Sequence, residues 1–252
     1  MKLFKKSIAI TVAMAALMSH VHAETLPSTA SFTKLAEDLR KSKMGEKSEY
    51  ETEAEYKVRQ GKFRFRDGST LDGEIMFAQA AKNAGCEDKY DAETQKLTLS
   101  CTIYRNWGYT NLDIAKKFRT VGSYTGSNAY NHKVQVDKVN STHQWVNVYY
   151  DPNSKITDRN NEFEIKVTVQ ATPNEAKKIR EGWTLGYFVK PLAPFLKQER
   201  MHIAPTIDSP TDQWDDTTNL ITLFTKLVVY DAKTSSIFGK FSFNGGSLVP
   251  IE

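Results

Sequence analysis

The chain is poor in the residues that most reactive sites require. It has two cysteines, Cys86 and Cys101, and five histidines in 252 residues. His20 and His22 fall in a leader-like segment, which leaves His132, His143 and His202. No two of these have the spacing that sets a pair of metal ligands on one helix face, and there is no His-Glu-x-x-His. The sequence also lacks a Gly-x-Ser-x-Gly elbow, a phosphate-cradling glycine loop and a dinucleotide fingerprint. Neither a metal nor a cofactor is expected.

Net charge is small too. The 34 basic residues face 30 acidic ones, and Lys2, Lys5 and Lys6 lie in the leader, leaving 31 against 30. A near-neutral chain has no overall field to draw in nucleic acid or an anionic membrane, so nucleic-acid binding is not expected. Long apolar runs are absent except at the N-terminus. There, Lys5 and Lys6 precede the apolar stretch Ile8 to Met18, and Val21-His22-Ala23 supplies the −3 and −1 positions of a cleavage site. These are the three parts of a secretory signal peptide. The apolar run is about half of the ~20 residues needed to span a bilayer, so no transmembrane segment is expected in the mature chain. Residues Met1 to Ala23 are read as a leader, and the mature protein as periplasmic or secreted.

In an oxidising compartment an even cysteine count reads as a disulfide. Lys96 to Tyr104 alternates in the manner of a strand, and Asp91 to Gln95 has turn composition. A hairpin turning near Glu93 and Thr94 brings the residue opposite Cys101 close to Cys86 and sets Tyr90 opposite Leu97, so a Cys86–Cys101 bond is expected.

Three helices are expected. Phe32, Leu35, Ala36 and Leu39 recur at helical spacing in a segment from Thr29 to Met44, with Ser31 as N-cap and Gly45 as the stop. Thr52 and Glu55 form a capping box that opens a second helix ending at Gly61. Thr172 and Glu175 form another, with Pro173 in the first turn and Gly182 as the stop. Most of the remainder alternates with period two: Lys62–Arg66, Leu71–Phe77, Lys133–Val139, Gln144–Tyr150, Glu162–Gln170, Thr184–Val189, Leu223–Tyr230 and Ser236–Phe243. Phe77 to Ala84 fits a helix as well. Pro191 to Asn219 reads as a long irregular loop with four prolines, carrying Asp208, Asp212, Asp215 and Asp216 around Trp214. Those acids lack the alternating spacing of a calcium loop and read as a solvated surface. The expected fold class is α+β and β-rich: an antiparallel sheet or sandwich with N-terminal helices and one short capped helix. The expected organisation is a leader over 1–23, a helical segment over 24–60 and a β-rich domain over 61–252.

The run Glu49-Tyr-Glu-Thr-Glu-Ala-Glu-Tyr-Lys-Val-Arg59 resembles a Glu-Phe-Glu-Thr-x-x-Glu-Tyr-x-x-Arg motif of exported bacterial proteins of unassigned function. Ser123 to Tyr130 resembles a second element of the same group. The resemblance implies export and assigns no reaction, ligand or site.

The residues most suited to a ligand are aromatic and amide side chains in two glycine-containing segments: Trp107 and Tyr109 in one, Tyr124, Asn128 and Tyr130 in the other. A ring supplies contact area and an amide supplies direction. With no catalytic signature, the expectation is a non-enzymatic exported protein that binds an unknown protein or envelope ligand. The alternatives are a hydrolase of envelope polymers working through paired carboxylates, and a secreted effector or inhibitor.

Overall fold

The computed structural model describes residues 26–45, 47–105, 108–127, 132–151, 161–244 and 246–251. The expected leader lies outside the described residues, as do Trp107, Asn128 and Tyr130. Strands dominate. Helix α1 (Phe32–Ser42) and helix α2 (Glu53–Lys62) precede β1 (Ile75–Ala80), a 3-10 turn (Ala81–Asn83), β2 (Cys86–Asp91), β3 (Lys96–Arg105), β4 (Tyr109–Ser127), β5 (Lys133–Tyr149) and β6 (Asn161–Gln170). Helix α3 (Pro173–Gly182), β7 (Trp183–Ile203), β8 (Thr211–Asp231), β9 (Ile237–Asn244) and β10 (Ser247–Ile251) follow.

A three-stranded sheet has the order β2-β3-β6, and a seven-stranded sheet has the order β1-β7-β8-β5-β4, with β9 on β8 and β10 on β9. Every pair is antiparallel except β5 with β8. The two sheets bury apolar faces in one core. Leu97, Leu99, Ile103, Phe163 and Ile165 come from the small sheet; Leu112, Val146, Leu185, Tyr187, Leu220 and Leu227 come from the large one. The stripe Phe32, Leu35, Ala36 and Leu39 places α1 in the same core.

The β2–β3 hairpin has the expected register, with Cys86 opposite Cys101 and Tyr90 opposite Leu97. The two sulfurs are 2.02 Å apart, at disulfide distance. Both capping boxes form: Thr52 with Glu55, and Thr172 with Glu175.

The run from Glu49 to Arg59 forms an interlocked set of contacts around α2. The Arg59 guanidinium donates from Nε and Nη2 to the two oxygens of Glu51 at 2.8 and 2.7 Å. The same group lies 5.0 Å from the centre of the Tyr56 ring, whose hydroxyl donates to the Met44 carbonyl at 2.7 Å. The hydrogen bonds from Arg59 hold the Glu51 carboxyl below its ordinary range. The motif thus ties α2 to the chain leaving α1.

Three expectations are corrected. Lys62–Arg66 forms no strand: Phe65 enters the core, and Arg66 turns outward to pair with Glu37 and Asp38 of α1. Phe77 to Ala84 is strand and then 3-10 turn, because β1 pairs with β7 as far as Ala80. Pro191 to Asn219 is no loop. β7 runs on to Ile203 and β8 starts at Thr211, leaving a short turn that holds Pro205 and Pro210. Pro191 and Pro194 border a register break between Pro191 and Leu196, where the chain bulges and buries Phe195. A bulge is one of the few places where a strand accepts proline.

Candidate binding surface on the sheet extension

Globular-protein strands are usually about 5–6 residues long, whereas β4, β5, β7 and β8 have 19, 17, 21 and 21 residues. Their inner halves carry the core. Their outer halves continue as a four-stranded sheet in the order β7-β8-β5-β4, beyond the reach of β1, which pairs with β7 only over Thr184–Val189. Helix α1 marks the boundary. Arg40 donates from Nη2 to Thr218 Oγ1 at 3.0 Å, and to Gln198 Oε1 at 2.7 Å once that amide is turned with its oxygen toward the helix.

The register assigns each side chain of the extension to a face, because directly paired residues share one. On the face that continues the core side lie the rows Lys117–Thr142–Asp216–Arg200 and Arg119–Asn140–Trp214–His202, followed by Lys138 and Tyr124. On the opposite face lie Lys116–His143–Thr217–Glu199, Phe118–Ser141–Asp215–Met201 and Thr120–Val139–Gln213–Ile203.

Both faces show large apolar or aromatic groups to solvent. Phe118 is 59 %, Met201 56 % and Ile203 43 % exposed on the outer face; Trp214 is 39 % and Tyr124 37 % exposed on the core-side face. On the core-side face basic side chains lie against the rings. His202 stacks on Trp214 with centroids 4.4 Å apart, Arg200 lies 4.8 Å from the Trp214 ring, and Lys138 lies 5.1 Å from the Tyr124 ring. His202 Nε2 and Asp212 Oδ1 are 2.6 Å apart, and Arg200 is 3.5 Å from Asp216. The four acids that the sequence groups around Trp214 are therefore dispersed: Asp212 and Asp216 on this face, Asp215 on the other, and Asp208 in the β7–β8 turn.

The outer face brings together a serine, a histidine and an aspartate that sequence spacing did not reveal. Ser141 Oγ donates to Asp215 Oδ1, and Gln213 Nε2 donates to the same oxygen at 2.5 Å. His143 Nε2 lies 3.0 Å from Ser141 Oγ, and its Nδ1 is buried with no hydrogen-bond partner among the described residues. In an acyl-transfer triad the histidine takes the serine proton and the carboxylate holds the far ring nitrogen. Here the serine hydroxyl donates its hydrogen bond to the carboxylate, so His143 Nε2 is left to donate to Ser141 Oγ, and Ser141 is fully buried. The cluster is a structural relay across β5 and β8, with no accessible nucleophile. Among the described residues no three His, Cys, Asp or Glu side chains gather as a metal site.

Burial alone would raise the Asp215 carboxyl, but hydrogen bonds from Ser141 and Gln213 and the charges of His143 and Lys116 outweigh it, leaving it below its ordinary value. A depressed native carboxyl contributes stability that is present above the unfolded-state value of about 3.9 and is lost as pH falls through the native value. Urea midpoints measured from about pH 5 downward should fall in wild type over that window, with the Asp215 part of the slope missing in Asp215→Asn. Parallel curves for the two proteins would refute the assignment.

Of the sequence-proposed ligand residues, Tyr109 and Tyr124 are described and are not brought together. Tyr109 pairs with Tyr149 at the root of the extension, and Tyr124 pairs with Val136 toward its tip. Residues 136 and 149 of one strand are an odd number of positions apart, so the two tyrosines face opposite ways. Trp214, His202 and Arg200 were missed because their segment reads as a loop. The signal available was the alternation Arg200–His202 and Asp212–Trp214–Asp216, which fits strands once the prolines are assigned to a bulge and a turn.

Comparison with known proteins gives no match to a family model, a curated protein or a solved structure. The functional reading therefore rests on the site itself.

Proposed function

We propose that the protein is an exported, non-enzymatic binding protein whose ligand lies against the sheet extension, in the periplasm or outside the cell. One observation carries this reading: four strands continue past the core and display Phe118, Met201, Trp214 and Tyr124 on a sheet whose outer half contributes little to burial. Exposed apolar groups on long strands invite edge-to-edge association. A chain that carries them without a stability return has a use for the surface. The bulges of β4 near Ile114 and Val121, with Lys116, Lys117 and Arg119 beside them, discourage strand addition at that edge. The faces are therefore the favoured contact. Export is supported by the lysine-rich and apolar leader, by the cysteine pair and by the resemblance around Glu49 to Arg59. No helix among the described residues is long and apolar enough to cross a membrane. In this reading the two packed sheets are a sandwich that serves as the base for the extension.

The test is a photoreactive amino acid placed at Phe118, at Tyr124 and, as a control, at Tyr104, which is 61 % exposed on the small sheet. Irradiation of cells expressing these variants should give discrete adducts from one or both extension positions and none from Tyr104. Equal labelling at all three, or none at any, would overturn the reading.

A further inference from the structure

The two faces of the extension differ in charge. Beyond the row of Gln144, the outer face carries Lys116 and Lys133 against Asp137, Glu199 and Asp215. The core-side face carries Lys117, Arg119, Lys138 and Arg200 against Asp212 and Asp216. Those two acids are already engaged, by His202 and Arg200, whereas among the described residues no ion pair involves Lys117 or Arg119. Exposed Asn140 and Thr142 sit next to them in the same two rows.

We propose, resting on the binding-protein reading above, that this core-side face binds an acidic polysaccharide. Three features point to this chemistry. First, the surplus is positive and local, so the partner is anionic. Second, the cations are sparse. Lys117 and Arg119 are two residues apart on β4, about 7 Å at a strand rise of ~3.4 Å, and Lys138 lies on the neighbouring strand. Duplex nucleic acid carries one charge per ~1.7 Å of axis and would press uncompensated phosphates against Asp212 and Asp216. A polymer with one carboxylate per sugar is less densely charged than a duplex, so its anionic groups can meet the cations with fewer held against the acids. Third, the aromatic faces are occupied. Trp214 holds His202 and Arg200, and Tyr124 holds Lys138, so the rings position charge and offer no open platform for the base stacking that single-stranded nucleic acid uses. Asn140 and Thr142 then supply the directional amide and hydroxyl contacts that sugar hydroxyls accept and donate.

The test measures binding of the purified protein to polygalacturonate at low ionic strength, with dextran, a single-stranded oligonucleotide and phosphatidylglycerol vesicles as comparators. Polygalacturonate should bind in a salt-sensitive manner, and the comparators should bind at least about tenfold more weakly, the equivalent of ~1.4 kcal/mol. Lys117→Glu/Arg119→Glu should weaken polygalacturonate binding by a similar factor. Lys96→Glu/Lys166→Glu, which makes the same change in net charge on the small sheet, should change it less than about twofold. Equal loss in both double variants, tighter binding to oligonucleotide or vesicle, or no binding to polygalacturonate overturns the proposal. Photo-adducts at Tyr124 in the absence of polygalacturonate binding would mean that the ligand class is wrong and the binding reading stands. Absence of both would remove the two together. Circular dichroism of each variant separates a lost contact from a lost fold.

Discussion

Replacing Leu227 by alanine is expected to cost about 2–5 kcal/mol, the range for emptying a fully buried leucine site. For a chain of this size each kcal/mol lowers the melting temperature by roughly 2–4 °C, so thermal unfolding followed by circular dichroism should shift down by roughly 4–20 °C. Leu227 is fully buried, at the point where β8 pairs with both β7 and β9. The cavity would open between Tyr187 on one side and Phe241 on the other, both paired directly with it. Two ring systems fixed in strands have little freedom to collapse into the gap, which favours the upper part of the range. The companion substitution Ile203→Ala, near the tip of β7, should lie within about 0.5 kcal/mol of wild type, as surface changes usually do. Both residues are apolar strand residues of the same sheet, so the pair measures how much stability the extension supplies. A large loss in Ile203→Ala would mean that the extension belongs to the folding core and that its exposed groups serve stability instead of binding.

The helices and the β2–β3 hairpin were legible because their signals are local. A capping box needs only Thr172 and Glu175, and a hairpin register follows once the turn near Glu93 and Thr94 is placed. The extension was legible only in part. Lys133–Val139 and Gln144–Tyr150 read as two strands because Asn140, Ser141, Thr142 and His143 interrupt the apolar alternation between them. They are one strand because β4 and β8 flank it on both sides and complete its ladder. That interruption is where Ser141 and His143 meet Asp215, seventy-odd residues away, through the parallel pairing of β5 with β8. A parallel contact at such separation leaves no mark in local periodicity. The prolines of 191–210 misled for a related reason: they report where a ladder is broken or turned, and the strand on either side shows itself only through its partner. The division of the extension into a cation-rich and a cation-poor face depends on the bulges at Ile114 and Val121, each of which flips the alternation of β4; no glycine or proline stands at the first, and at the second only Gly122, at positive φ, marks the break.

The second large effect concerns the cysteines. Closing a loop of about 15 residues is worth roughly 3 kcal/mol in the chain-entropy account, so Cys86→Ala/Cys101→Ala should lower the unfolding free energy by about that amount, read as a lower urea midpoint. Reducing wild type should have the same effect. The loss should be felt first in β2. This strand lies at the edge of the small sheet, its residues alternate between half-buried and exposed, and among the described residues no second strand covers its outer side. Apart from its ladder and the sulfurs, it is held by the Tyr90 hydroxyl donating to the Ala171 carbonyl at 3.1 Å and by the Asp88–Arg180 ion pair. Backbone amides of β2 should therefore lose hydrogen-exchange protection before those of β3, which β6 pairs along its whole length. An unchanged midpoint on reduction would show the link to be dispensable. If the loss appears as expected, a reducing compartment would leave the edge of the small sheet under-held. A stable fold and the export proposed above would then be one physical requirement.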